Sequence, residues 1–491
     1  MKDHALRQLQ EISALLNSSL KQSEIRKRAI EAATLLMEAE AGSLLLLDEL
    51  TGDLYFEVAL GEKGEEVREI RLKSGEGIAG HVVQSGVPVI VNDVQHDPHF
   101  SREADNKSGF VTRNMVCVPV RARSKMLGAL QAINRRDGGV FTEEDLQTFV
   151  SLGHQVGIAI ENANLYEDIN RLFEGFISAS VLAIESRDPT TSGHSERVAI
   201  LTCGLANVVD RIERGPYADV RFNDDQMKEI RYAAVLHDVG KVGVREHVLV
   251  KAKKLFPGDL DLLKARFDFI KRTLEVQALR RKVEILVSHG QAGAAALLSR
   301  LDEGLARRMK EADEMLEFLL KCNQPSVLPK EGFERLYEIA KLSYESFDGS
   351  KPYLTAEEAR VLSIPEGTLT LEQRREIESH VTRTYQFLSK IPWTKSLKNI
   401  PMIAYGHHEK LDGSGYPRRI PGEMISVQTR MMTICDIYDA LTASDRPYKA
   451  AVPTSKALEI LEEKVKSGQV DTHLFELFVE AKVFRYVQRS S

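Results

Sequence analysis

The stretch FTEEDLQTFVSLGHQVGIAIENANLYEDINRLFEGF, residues 141–176, carries no proline and reads as one uninterrupted helix. Thr142 is placed to cap it. Glu143, Glu144 and Asp145 put negative charge in the first turn, where the helix dipole favours it. Leu165, Ile169, Leu172 and Phe176 recur at 4-3-4 spacing, the signature of a helical seam. Such a stripe can pack on its own domain or on its twin in a second copy. The second reading is favoured: a signalling helix over 143–180 and a homodimer formed through it. The helix also divides the chain, because the residues before it read as α+β and the residues after it as helical.

At 491 residues the chain is too long for one ordinary domain. Hydrophobic residues at 43% and charged residues at 28% place it among soluble globular chains rather than disordered ones. A net charge of −6 argues against a nucleic-acid polymer as the main partner. No apolar run is long enough to span a membrane, and the N-terminus MKDHALRQLQEIS lacks an apolar signal core. A cytoplasmic protein with no membrane partner is expected. Cys117, Cys203, Cys322 and Cys435 are scattered, without CxxC spacing, and read as small buried residues rather than disulfides or thiolate ligands.

In residues 1–165 a helical start, about 5–40, leads into GSLLLLDELTGDLYFEVAL, where two apolar runs flank the hairpin chemistry of DELTGD. Strand-like runs come next, at VPVIVNDV (87–94), NMVCVPVRA (114–122) and MLGALQAINR (126–135). With GEGIAGHVVQSGVPVIVNDV and NKSGFVTRNMVCVPV, the segment over about 24–165 resembles a GAF domain, a small-molecule sensor module. The resemblance implies an antiparallel sheet flanked by helices and an unidentified small ligand. Asn106, Lys107, Phe141 and Asp145 match a pattern of GAF domains that bind cyclic nucleotides, but Leu146 stands where that pattern has glutamate. A different ligand, or a purely structural role, is the favoured expectation.

Residues 166–253 and 367–491 read as helical. The segment between them, 254–366, shows Leu263, Phe267, Ile270 and Leu274 as an apolar stripe at helical spacing and ends in turn-rich DGSKPYLT. It reads as a helical insertion, an accessory layer or a lid. Its single histidine, His289, reads as a loop or helix-end residue.

Two dipeptides are harder to explain as surface chemistry. His237–Asp238 follows AAVL and precedes VGKVGV; His407–His408 follows IPMIAYG. Ionisable residues in so apolar a context are costly unless paired or coordinated. Adjacent helical residues diverge by about 100°, so one dipeptide can serve two neighbouring ions, and a carboxylate has two oxygens to share. His380, Glu185 and Asp436 are single candidates, each with an ordinary surface or capping role as its alternative. Four histidines with three carboxylates suit Fe, Mn or Zn better than Mg. Seven ligands exceed what one ion takes from protein, so two or three divalent ions are implied, with Fe or Mn favoured.

Taken in order, ESRDPTTSGHSERV, LHDVGKVGV, HHEKLDGSGYP and CDIYDALTASDRPYK resemble the HD-GYP domain, a branch of the HD phosphohydrolase superfamily, over 173–253 and 367–460. The resemblance implies an all-α domain over 166–491 that hydrolyses the bacterial second messenger cyclic di-GMP at a two- or three-metal centre. Carried across, it implies Glu185, His237, Asp238, His380, His407, His408 and Asp436 as metal ligands. Asp238 would bridge, and Glu185 would help hold a third ion. Lys241 would act on a phosphate oxygen, and Arg446 and Lys449 would clamp phosphates. Tyr416, in the GYP loop, would approach a base or a partner protein. His194 and Arg197 lie in the HSERV piece, and His194 is read as supporting the ligands. Glu409 and Asp412 are expected to order the loop, Gly413 and Gly415 to permit positive φ, and Pro417 to stiffen the exit.

The family joins its HD piece to the next ligand histidine by a short link, whereas 142 positions separate Asp238 from His380 here (380 − 238). The insertion keeps every ligand, so it bears on substrate access rather than on metal binding. The expected activity is opening of cyclic di-GMP to linear pGpG, to GMP or to both, under control of the sensor. The alternatives are hydrolysis of another cyclic dinucleotide, or a cyclic di-GMP receptor with little turnover.

Overall fold

The computed structural model describes residues 10–487 except 17, 20, 61–69, 74, 187–192, 326, 328 and 444–450. The chain divides into two compact units, Met1–Gly175 and Phe176–Ser491. Among the described residues no helix is long and apolar enough to cross a membrane.

In the first unit, the helical start ends earlier than expected and is interrupted. A helix over 10–16 precedes α1 (Gln22–Leu36), and Glu38 turns the chain with φ 48° into the sheet. The strands β1 (Ala39–Leu47), β2 (Leu54–Leu60), β3 (Arg71–Leu72), β4 (Val89–Val91), β5 (Met115–Ala122) and β6 (Lys125–Arg135) form one sheet in the order β3-β2-β1-β6-β5-β4, antiparallel at every pairing. DELTGD closes the β1–β2 hairpin. Asp53 O accepts the Asp48 N–H at 2.8 Å, and the Asp48 carboxylate accepts the Leu50 N–H at 2.9 Å. Because side chains alternate along a strand, neighbours in β1 serve opposite faces. Leu44 joins Ile30, Val118, Phe149 and Val156 on one face; Leu45 joins Ile78, Val82, Met115 and Cys117 on the other.

The long helix α2 runs from Glu143 to Glu185. Its start is a reciprocal cap: Thr142 Oγ1 accepts the Asp145 N–H at 3.3 Å, and Asp145 Oδ2 accepts the Thr142 N–H at 2.8 Å. Asp145 therefore orders the helix start. Leu165, Ile169, Leu172 and Phe176 are all exposed, Leu172 by 75%.

The second unit is largely helical. Helices α3 (His194–Arg211) and α4 (Asp224–Leu236) precede the insertion; α7 (Leu371–Leu388), α8 (Ile400–Tyr405) and α9 (Val427–Thr442) come after it. Within the insertion, α5 spans Pro257–Cys322 and is broken at Gly290, whose φ of 66° and ψ of 172° reverse the chain. The two arms lie antiparallel: Lys271 pairs with Asp313 at 3.0 Å and Lys282 with Asp302 at 2.5 Å. His289 is exposed at the tip, next to the break. The base has its own core of Leu263, Phe267, Leu319, Leu336, Leu354 and Leu362. The expected stripe of Leu263, Phe267, Ile270 and Leu274 is buried. Two short strands differ from the helical expectation: Ser343–Ser346 pairs with Gly349–Pro352, and helix α6 (Ala356–Leu362) lies just beyond them. All four cysteines are free; Cys117, Cys322 and Cys435 are buried and Cys203 is partly so.

Candidate metal centre

Helix α4 delivers the first dipeptide. Its last turn, Ala233–Leu236, is buried, and the chain passes directly into His237, fully buried, and Asp238, 7% exposed. The tight turn after Asp238 then meets α7. A Cβ on Gly240 would lie 2.0 Å from His380 O and 2.5 Å from Thr384 N, so only glycine fits, and its N–H donates to Thr384 Oγ1 at 2.9 Å. That contact brings Asp238 beside His380. Helix α8 ends just before His407 and His408, and α9 carries Asp436.

Three of the histidines are oriented in the same way. The Nδ1 atoms of His237, His380 and His407 lie 2.6, 2.5 and 2.6 Å from the carbonyl oxygens of Ala234, Ile377 and Ala404, each three residues back. A carbonyl can only accept, so each Nδ1 donates, and the Nε2 atom is left to offer a lone pair. These lone pairs converge. His380 Nε2 and His407 Nε2 are 3.4 Å apart. His237 Nε2 is buried and has no hydrogen-bond partner. Burial, reinforced by His408, His237 and His380, keeps the His407 pKa well below the ordinary imidazole range. Burial also pushes His408 down to about 4, against the pull of Asp436.

Asp238 stands between two sets of rings. Its Oδ1 is 3.1 Å from His380 Nε2 and 3.9 Å from His407 Nε2. Its Oδ2 is 3.4 Å from His237 Nε2, 3.9 Å from His194 Nε2 and 2.6 Å from Lys241 Nζ. Burial alone would raise its pKa, but Lys241 and His237 overcome this and hold the group well below the carboxylate range. Asp436 is depressed for the same reason, by His194 and His237 against burial. Its Oδ1 lies 3.2 Å from His194 Nε2, and its Oδ2 lies 4.0 Å from His408 Nδ1. Two groups of potential ligands result: His380, His407 and His408, and His194, His237 and Asp238. An orphaned imidazole nitrogen, two facing nitrogens and ionised carboxylates between them form a donor set that fits divalent cations.

The remaining site residues fall differently. His194, read from sequence as a support, sits inside the second group. Its Nδ1 is 2.8 Å from Asp439 Oδ2, and Arg197 Nε and Nη2 hold Asp439 at 2.7 and 3.1 Å. Burial opposes protonation of His194, yet Asp436 and Asp439 raise its pKa to about 9. Asp439 was absent from the expected set. The available signal was its spacing, three residues after Asp436 on the next turn of one helix. Glu185 is in neither group. Its oxygens accept the N–H groups of Gly193 at 2.8 Å and Ser195 at 3.3 Å, at the start of α3. Arg446 and Lys449 lie outside the described residues.

In the HHEKLDGSGYP loop, Glu409 accepts the N–H groups of Arg418 at 2.7 Å and Ile420 at 3.3 Å, and Asp412 accepts the Ser414 N–H at 2.8 Å. Gly413 has the expected positive φ, 74°. Gly415 does not: it is required for close approach, because a Cβ there would lie 2.4 Å from Lys410 N and 2.6 Å from His408 O. The Tyr416 ring lies 4.8 Å from that of His408, and burial, with Asp436 nearby, raises its hydroxyl pKa.

Comparison with known proteins agrees with this division. The GAF domain model matches residues 23–160 and an HD domain model matches residues 356–474. The HD match includes His380, His407, His408 and Asp436; His237 and Asp238 lie before it, across the insertion. The 3'3'-cGAMP-specific phosphodiesterase 3 of Vibrio cholerae serotype O1 is 43% identical over 109 residues, 22% of this chain and 23% of that protein. The probable 3',5'-cyclic phosphodiesterase pde-5 of Caenorhabditis elegans is 30% identical over 169 residues, 32% of this chain and 23% of that protein. The chain thus spans under a quarter of the length of either relative. The GAF domain of an Acinetobacter phosphoenolpyruvate-protein phosphotransferase is 23% identical, covering 34% of this chain and 99% of that one, with a TM-score of 0.30. The chain carries a GAF domain in its first unit and an HD domain in its second.

Proposed function

We propose that the second unit is an HD-GYP phosphodiesterase that hydrolyses cyclic di-GMP with two or three divalent ions, Fe or Mn, in a cytoplasmic setting. The observation that carries this reading is Asp238, whose two oxygens face separate sets of histidine nitrogens, one of them an orphaned buried Nε2. His380, His407 and His408 would hold one ion, and His237 and Asp436 the other, with Asp238 shared. Glu185 accepts the N–H groups of Gly193 and Ser195 and keeps lone pairs with which it would help hold a third ion. When bound, the ions would supply an activated water and offset charge on the phosphoryl oxygens. Lys241, 2.6 Å from Asp238, is placed to meet a phosphate oxygen beside them. Tyr416 would present its ring to a base, and Arg446 and Lys449 would clamp phosphates.

The exposed stripe on α2 would pair with its twin in a homodimer. A small ligand at the GAF domain would control turnover by binding two packings of that helix with different affinity. A second reading, a hybrid cyclic dinucleotide as substrate, is favoured by the match to the cGAMP-specific Vibrio enzyme.

The test is product chromatography on the full chain, purified anaerobically and loaded with Fe(II) or Mn(II). Cyclic di-GMP and 3'3'-cGAMP are supplied separately. Metal-dependent linear dinucleotide or GMP from cyclic di-GMP is expected. Product from 3'3'-cGAMP alone would move the assignment to the second reading. No product from either, with metal bound, would leave a receptor.

A further inference from the structure

The first arm of α5 carries two apolar stripes. Leu263, Phe267, Ile270, Leu274 and Ala278 are buried within the insertion. Val276, Leu279, Val283 and Leu286 are not: they are exposed by 45%, 59%, 60% and 41%. Their 3-4-3 spacing is that of a helical seam, and its order is valine, leucine, valine, leucine. A β-branched residue at the first core position of each heptad and leucine at the second is the choice that favours parallel two-stranded pairing. Toward the base of the hairpin, one heptad before Val276, Phe269 is flanked by Tyr344 and Phe347, with ring centroids 5.8 and 6.2 Å away, and stays 37% exposed. One heptad after Val283, Gly290 breaks the helix.

The flanking charges point to the occupant. Glu275 immediately precedes the first valine, and Arg280 immediately follows the first leucine. In a parallel pair these positions meet across the seam, five residues apart, and the two-fold axis repeats the contact. Arg280 is exposed and, among the described residues, no hydrogen bond or ion pair within the chain engages it. Glu275 pairs with Arg272 of its own helix through Oε2 at 2.6 Å, which leaves its other oxygen for Arg280 of a second copy.

We infer that the outer face of the insertion hairpin pairs in parallel with the same face of a second copy, through Val276, Leu279, Val283 and Leu286, with Glu275 of each copy against Arg280 of the other. The contact is separate from the stripe on α2 and does not rest on it. Two heptads make a short seam, so the association is weak alone and is best read by cross-linking.

The experiment uses the full chain with Val283→Cys under mild oxidation. A disulfide-linked dimer should form about tenfold faster than with Arg281→Cys, which lies off the seam. The native chain should give none, its cysteines being buried or partly so. Adding Arg280→Glu should slow the Val283→Cys reaction severalfold, and adding Glu275→Arg as well should restore it. Leu279→Cys repeats the measurement if Val283→Cys misfolds by circular dichroism. Equal rates on and off the seam would overturn the inference. So would preferential cross-linking of Leu279→Cys to Val283→Cys, which would signify antiparallel pairing. Ile169→Cys reports on the α2 stripe alone, so failure of either contact is distinguishable from failure of the other.

Discussion

The sheet face behind Leu45 and the polar centre around Asp238 are both buried, yet they are built on opposite terms. The first is apolar: Leu45, Ile78, Val82, Met115 and Ala129 pack without direction, and any one of them is satisfied by whatever apolar neighbour is near. The second is ionisable throughout, and every group depends on a particular atom of another. Asp238 answers to Lys241 and to His237, His380 and His407, and Asp436 answers to His194. A core of the first kind degrades in proportion to what is removed. A core of the second kind is only as sound as its most shared member, because a polar group left alone in a dry interior costs far more than the bond it lost.

Asp238→Ala presses that difference hardest. It removes the carboxylate that lies 3.1 Å from His380 and 3.4 Å from His237, between the two ligand groups, and strips Lys241 of its partner. Metal analysis should find both ions lost, and turnover should fall by roughly a thousandfold or more. Melting of the first unit should not move. Two ions per chain retained by the variant would mean that Asp238 is not shared.

Leu45→Ala addresses the other region. Deleting a fully buried leucine from a packed face costs about 3 kcal/mol. Urea unfolding should show that loss in the first unit, with metal content unchanged. A parallel fall in bound metal would show that the two regions are not energetically separate.

The two regions were also unequally legible. The apolar runs that flank DELTGD in LLLLDELTGDLYFEV, and those at 114–122 and 126–135, locate the sheet, since strands covered on both faces read as continuous apolar runs. The dipeptides at 237–238 and 407–408 stand out because charge in apolar context is local too. What escaped is tertiary. His194 meets Asp439 across 245 positions, and Glu185 accepts the Gly193 N–H at the start of the next helix. Gly415 looks like a turn glycine but is needed because His408 O passes close to it. The strands at 343–346 and 349–352 are four residues each and mostly exposed, too short and too polar to produce a periodic signal.

Asp439→Asn is the smallest perturbation and the most discriminating, because it leaves the shape of the polar centre intact and changes one acceptor. The carboxylate accepts from His194 Nδ1 and from Arg197, which leaves His194 Nε2 directed at Asp436. An amide removes the negative charge that helps keep His194 protonated between Asp436 and Asp439, and so loosens the contact by which His194 Nε2 orients the Asp436 ligand. Residues that orient a ligand in this way typically contribute 10–100-fold in metal affinity, about 1.4–2.7 kcal/mol. A competitive metal titration should show a loss of that size, well short of the effect of Asp238→Ala. If Asp439 only supports the fold, the variant will melt lower while its metal affinity stays that of the native chain. If it orients His194, affinity will fall, and Arg197→Lys, which keeps the charge but loses the paired contact, will reproduce a fraction of the loss.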